Sequence, residues 1–165
     1  MKKFIVVLMM CILMTGCNFN VTKDVSVDSR YEDMIELLIT NEKFATESNY
    51  YDVSYDIVKL NEGYRYYIYI DNPRIALYNV QVLAIEDGID YSRYMAANVG
   101  IFEDTQYHLV PNQTNVDKGY VKGLMISGVT EKSELEIELM VCWSDRVSST
   151  NEREYIQMHL NYVEE

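Results

Sequence analysis

Few side chains in this sequence combine the type and the spacing that chemistry needs. Its two histidines, His108 and His159, lie outside any His-Glu-x-x-His or Cys-x-x-Cys setting, so their neighbours do not mark them as metal ligands. His159 alternates with Gln157 and Asn161 on the polar side of an extended stretch, and His108 falls between Tyr107 and Leu109; both are expected to be solvated. Cys142 precedes Trp143, with Arg146 as the nearby cation. A nucleophilic thiol needs a neighbour that stabilises the thiolate, so Cys142 is expected to be a sheltered, packed thiol. Gly123-Leu124-Met125-Ile126-Ser127-Gly128 sets a serine beside a glycine, but the Gly-x-Ser-x-Gly spacing of a nucleophile elbow is missing. Glu86-Asp87-Gly88-Ile89-Asp90 gathers three carboxylates round a glycine, and a hard cation does take oxygen ligands from a bent loop. The order of an EF-hand loop is absent, however, and acidic residues occupy turns for backbone reasons alone. The expectation is a protein that is not an enzyme, with no catalytic residue, no metal and no cofactor.

What remains is recognition by contact. Tyrosine is the compositional excess, with 15 in 165 residues. Over Tyr64–Ile70 a period of two puts Tyr64, Tyr66, Ile68 and Ile70 on one face and Arg65, Tyr67 and Tyr69 on the other. If the first face is core, the second shows two aromatics beside a cation. Such a patch suits a protein partner or a glycan ring, because a Tyr side chain offers a large area at low entropic cost. The alternative is cross-strand pairing of the rings, which merely stabilises a sheet. Arg65, Tyr67 and Tyr69 are therefore the candidate partner-binding residues.

The N-terminus carries an address. Lys2 and Lys3 precede an apolar run, and Met14-Thr15-Gly16-Cys17 follows it, the pattern of a secretory signal peptide over residues 1–16. As a helix, the stretch from Phe4 to Gly16 would reach about 20 Å at ~1.5 Å per residue, against a hydrocarbon core of ~30 Å. It is too short for a comfortable span. The small residues directly before Cys17 resemble the lipobox of bacterial lipoproteins, with Met14 where that family usually has Leu. The resemblance implies that Cys17 receives a diacylglycerol, that cleavage occurs before it, and that the lipid holds the mature chain on the extracytoplasmic face of the cell membrane. Two acyl chains give stable anchoring where one gives only marginal binding. Asn18 resembles the outer-membrane sorting pattern, should the cell have two membranes, because the Asp associated with inner-membrane retention is absent.

The charge balance agrees with contact rather than phosphate binding. Lys and Arg number 14 against 26 Asp and Glu, a formal charge of −12, which provides no basic footprint for nucleic acid. Loss of Lys2 and Lys3 with the leader makes the mature chain more acidic still, so the lipid and not a polybasic patch must supply membrane affinity. Of the three cysteines, Cys11 leaves with the leader and Cys17 is acylated. Cys142 then stands alone, and core burial must hold the fold without an intramolecular disulfide.

The elements that would position these residues follow from periodicity. Residues 17–28 read as the lipidated cysteine and a short tether. Ser29-Arg30-Tyr31-Glu32 has the form of a capping box, and Tyr31, Met34, Ile35 and Leu38 then fall at i, i+3, i+4 and i+7. An amphipathic helix is expected from about residue 30 to about 43, within a segment 29–48, its stripe packing either on the main body or on a partner. From Tyr50 the period changes to two. Strands are expected at Asp52–Lys59, Tyr64–Asp71, Ile75–Glu86, Asn98–Glu103, Thr105–Val110, Gly119–Ser127, Leu135–Trp143 and Ile156–Tyr162, with Asp90–Ala97 a loop or a single helical turn. Turns are marked by Asn61-Glu62-Gly63, Asp71-Asn72-Pro73, Glu86-Asp87-Gly88, Pro111-Asn112 and Asp117-Lys118-Gly119. About eight short strands with no helical segments between them exclude a βαβ plan and leave an antiparallel β-sandwich or barrel over residues 50–165, the sandwich being favoured.

Tyr66-Tyr67-Ile68-Tyr69-Ile70 with Asp71-Asn72, Leu77-Tyr78-Asn79-Val80-Gln81-Val82 with Asp87-Gly88, and Gly119–Leu124 before Leu135–Leu139 together resemble the small immunoglobulin-like domains of bacterial surface lipoproteins, including FxLYD-type modules. The resemblance covers roughly residues 50–163 and brings no catalytic residues with it. It implies a mainly β, immunoglobulin-like sandwich serving as an extracytoplasmic interaction or assembly module of the cell envelope, with an envelope protein as partner. A surface receptor domain for a small ligand, glycan or ion is the alternative.

Overall fold

Left-handed backbone marks the places where this chain reverses. Gly63, Asn72, Gly88, Asn112 and Gly119 all have φ between +46° and +82°, a region that only Gly enters freely and that Asn tolerates best among the rest. Each lies in one of the five expected turns. Gly63 has a second reason to lack a side chain, because a Cβ there would sit 2.4 Å from the carbonyl oxygen of Thr130. Between these reversals the β-branched and aromatic residues extend into strands.

A computed structural model describes residues 25–145 and 151–164; the leader, Cys17 and the tether up to residue 24 lie outside the described residues. The described residues are mainly β, with one α-helix. Helix α1 spans Val25–Ile39. Among the described residues nine strands follow: β1 Asp52–Lys59, β2 Tyr64–Asp71, β3 Leu77–Glu86, β4 Ala97–Val99, β5 Tyr107–Leu109, β6 Tyr120–Val121, β7 Gly123–Thr130, β8 Glu134–Ser144 and β9 Asn151–Asn161. One sheet has the order β1-β2-β7. The other has the order β6-β5-β3-β8-β9, with β4 also paired to β3. Between these strands the pairings are antiparallel except β5 with β6. Among the described residues no helix is long and apolar enough to cross a membrane.

Two apolar clusters hold three layers together. Ile68 and Ile70 of β2, Ile126 of β7, Val82 of β3, Leu139 and Val141 of β8 and Leu160 of β9 share one core to which both sheets contribute. Met34 and Leu38 of α1 form a second with Leu83 and Ile85 of β3 and Met140 of β8. Strands β3 and β8 are thus covered on both faces, which is why Val82–Ile85 and Leu139–Val141 are unbroken apolar runs. The helix stripe is the predicted one, with Met34 and Leu38 buried and Tyr31 and Ile35 partly so. It packs on the body of the same chain.

The element bounds differ from expectation in places with a physical cause. Helix α1 begins at Val25, so Ser29 lies one turn inside it and the capping-box position is not the helix start. It ends at Ile39 and not near residue 43, because the chain is drawn off to cover β9: Ala45 N–H donates to the Tyr155 carbonyl at 2.9 Å and Gln157 N–H to the Ala45 carbonyl at 2.9 Å. Phe44 meets the Tyr155 ring edge-on at 6.3 Å. The segment expected as one strand over Gly119–Ser127 divides at Lys122, since β6 pairs with β5 of the larger sheet and β7 with β2 of the smaller. The chain crosses between layers there. Asp90–Ala97 is a run of turns before β4, held by Arg93 N–H and Tyr94 N–H on the Asp90 carbonyl.

Candidate functional site

Strand β2 is the centre of the three-stranded sheet, so its outward residues are flanked on both sides. Tyr66, Ile68 and Ile70 point into the core at 4%, 0% and 0% exposure. Arg65, Tyr67 and Tyr69 point the other way, Arg65 exposed and the two tyrosines half-buried. The structure therefore brings the three candidate residues together on one outer face. Register sets their neighbours: Arg65 lies between Val58 of β1 and Val129 of β7, Tyr67 between Asp56 and Ser127, and Tyr69 between Ser54 and Met125. Val58, Met125 and Val129 are 43%, 49% and 60% exposed. Two aromatics and a cation are thus framed by three exposed apolar side chains that sequence reasoning did not include. The signal for Met125 and Val129 was the alternation of β7, whose partner strand cannot be known from its own sequence.

The cross-strand ring pairing weighed for these tyrosines is not how they pack. Opposite Tyr67 and Tyr69 stand short or flexible side chains, and among the described residues neither tyrosine stacks on another ring. Ring contacts lie elsewhere, as between Tyr64 and Tyr162 at 5.2 Å and between Tyr51 and Trp143 at 6.0 Å. Gly128 on the inner side explains how Tyr66 fits: its hydroxyl and ring pass over the glycine, and a Cβ there would stand 2.2 Å from the Tyr66 oxygen. Burial pushes the Tyr66 phenol well above its usual range. The inner tyrosines fill the core, leaving the outer pair as surface.

The other residues singled out take structural positions. His108 is buried at 7% exposure, not solvated as expected, between the rings of Tyr78 at 5.5 Å and Tyr120 at 4.8 Å. Its Nδ1 accepts the Asn79 N–H at 3.1 Å, so the neutral ring carries its proton on Nε2. Desolvation lowers its pKa. His159 is exposed and stands between two carboxylates, Nδ1 at 2.6 Å from Glu136 Oε1 and Nε2 at 3.1 Å from Glu134 Oε1. The register of β8 with β9 places it directly across from Glu136, and that hydrogen bond raises its pKa. Cys142 is half-buried beside the second cluster, and burial pushes its thiol up to about 11. It remains protonated at neutral pH and is a poor nucleophile.

The carboxylates of the Glu86–Asp90 corner do not converge. Glu86 is buried, accepting from Thr130 Oγ1 at 3.0 Å and pairing with Lys132 Nζ at 3.0 Å. Asp90 turns to Ser92 and Arg93. On β8, Glu134 and Glu136 hold His159, while burial and Asp87 raise the Glu138 carboxyl. Among the described residues no group of three His, Cys, Asp or Glu is arranged to hold a metal ion. The outer face of β2 keeps Arg65, Tyr67 and Tyr69 side by side with exposed Val58, Met125 and Val129 around them. Comparison with known proteins returned no matching family model, no matching curated protein and no matching solved structure.

Proposed function

We propose that this protein is a lipid-anchored, non-enzymatic interaction module of the bacterial cell envelope, tethered to the membrane through Cys17 on its extracytoplasmic side. The fold is an immunoglobulin-like sandwich carrying a helix on its larger sheet, a proposal supported by two sheets that share one core. The partner is an envelope protein that binds the outer face of the three-stranded sheet. The observation that carries this is the outward set Arg65, Tyr67 and Tyr69 framed by exposed Val58, Met125 and Val129. A half-buried ring needs little further ordering when it is covered, so its burial is gained at low entropic cost.

The test replaces Tyr67 and Tyr69 by Ala. Both side chains point away from the core, so the variant folds with an unchanged circular dichroism spectrum and loses the partner recovered by affinity purification from envelope fractions. Undiminished recovery from a folded variant removes this face from the account. The anchor is tested separately, since Cys17→Ser should move the protein from the membrane to the soluble fraction and change its electrophoretic mobility. A second reading, as a small-ligand receptor, draws on a cleft of about 610 Å³ beside α1. The Asn79 Oδ1 in its lining is buried without a hydrogen-bond partner. A saturable rise in melting temperature with a glycan or Ca²⁺ would favour that reading.

A further inference from the structure

The helix layer carries a second exposed apolar surface, on the side of the molecule opposite the tyrosine face. Between α1 and the turns after β3 runs a groove of about 770 Å³, its walls including Ile35, Ile39, Ile89, Met95 and Phe102. Ile39 and Met95 are 57% and 69% exposed, and Ile89 and Phe102 also reach solvent. Contiguous apolar surface of this kind on a small domain marks an interaction site. It exists because α1 spends Met34 and Leu38 on the larger sheet and leaves Ile39, on another side of the helix, uncovered.

Charge selects the occupant. Glu32 and Glu36 line the groove from α1, one helical turn apart, and among the described residues neither has an ion-pair partner. No lysine or arginine lines it. The nearby Arg93 is occupied by Asp90, with Nε to Oδ2 at 3.3 Å. We propose that this groove docks a cationic amphipathic helix of a partner protein, its apolar stripe on Ile39, Met95 and Phe102 and its Lys or Arg side chains on Glu32 and Glu36. Residues three or four apart lie on one side of a helix about 5–6 Å from each other, so two cations at that spacing match the two carboxylates. An anionic lipid surface would be repelled by the same pair and by the net charge of −12. A second copy of this chain would set Glu32 and Glu36 against their own kind. The inference is independent of the tyrosine face and of the anchor.

The experiment uses the full chain in non-ionic detergent micelles, with empty micelles as blank. The probe is a fluorescent 18-residue helical peptide of Leu and Lys, apolar at i, i+3, i+4 and i+7, and binding is followed by anisotropy. Saturable binding is expected, weakened at least tenfold by the double substitution Glu32→Gln and Glu36→Gln, and to a similar degree by Ile39→Ser with Met95→Ser. The same peptide with Glu in place of Lys should not bind. Because all four positions are exposed, circular dichroism should report an unchanged fold, and the Tyr67→Ala, Tyr69→Ala protein should bind the peptide as the wild type does. Affinity indifferent to both groove variants overturns the proposal. So does a groove variant that instead changes attachment of the chain to phosphatidylglycerol vesicles, which would assign the surface to lipid.

Discussion

Truncating Leu38 should release the helix while leaving the two sheets folded. Leu38 is fully buried, and the cluster it joins is separate from the core between the sheets, with Met34, Leu83, Ile85, Ala96, Ile101 and Met140 as its other buried members. Leu→Ala at a fully buried site costs about 2–5 kcal/mol through lost transfer energy and the cavity left behind. Taking ~3 kcal/mol, and ~1.4 kcal/mol for each factor of ten, the opening equilibrium of α1 should rise roughly 100-fold. Native-state hydrogen exchange reads this directly, since segments open sub-globally with their own free energies. In Leu38→Ala the amides of α1 should exchange about 100 times faster, while those of β2 and β8 keep most of their protection. Leu139→Ala, in the core that both sheets share, should accelerate all of them together. Ile39→Ala, one residue along but 57% exposed, should leave exchange in α1 within a few-fold of the wild type. If Leu38→Ala changes α1 exchange by less than about threefold, or accelerates β2 as much as α1, then the helix is not a separately docked layer and the reasoning fails.

Other outcomes follow from particular contacts. Gly128→Ala forces a Cβ against the buried Tyr66 ring, and overpacking of this kind costs about 1–3 kcal/mol. The expected fall in melting temperature is roughly 3–10 °C for a chain of this size; an unchanged value would mean that Tyr66 moves aside freely. The two histidines should titrate in opposite senses in the folded protein, followed by the NMR shifts of their ring protons. His159, raised by Glu136 and Glu134, contributes stability that is present below its ordinary pKa of 6.5 and lost as pH rises through the higher folded value. Glu136→Gln should bring its midpoint down. His108, lowered by burial, contributes in the other direction: the unfolded chain takes up the proton first, so stability is lost as pH falls below 6.5 through the lower folded value. A His108 midpoint above that of His159 would contradict at least one of the two assignments.

What the sequence determined by itself was local. The strands β1 and β2 run over the residues their alternation marked, and all five turn signals hold a Gly or Asn with positive φ, because period and φ preference are properties of a few consecutive residues. The buried stripe of α1 and the outward set Arg65, Tyr67 and Tyr69 were legible for the same reason. Tertiary structure decided what those faces meet. His108 looked solvated beside Tyr107, yet a shift in the β3–β5 register with Asn79 at φ 53° and the return of Tyr120 enclose it. Met140 and Cys142 interrupt the polar side of β8, a trace of the helix lying over it, but an apolar residue does not say which distant element will cover it. The tyrosine face gained Met125 and Val129 only when β7 paired with β2 some 60 residues away. Pairing of that kind depends on burial summed over whole layers, and no short window of the chain contains that sum.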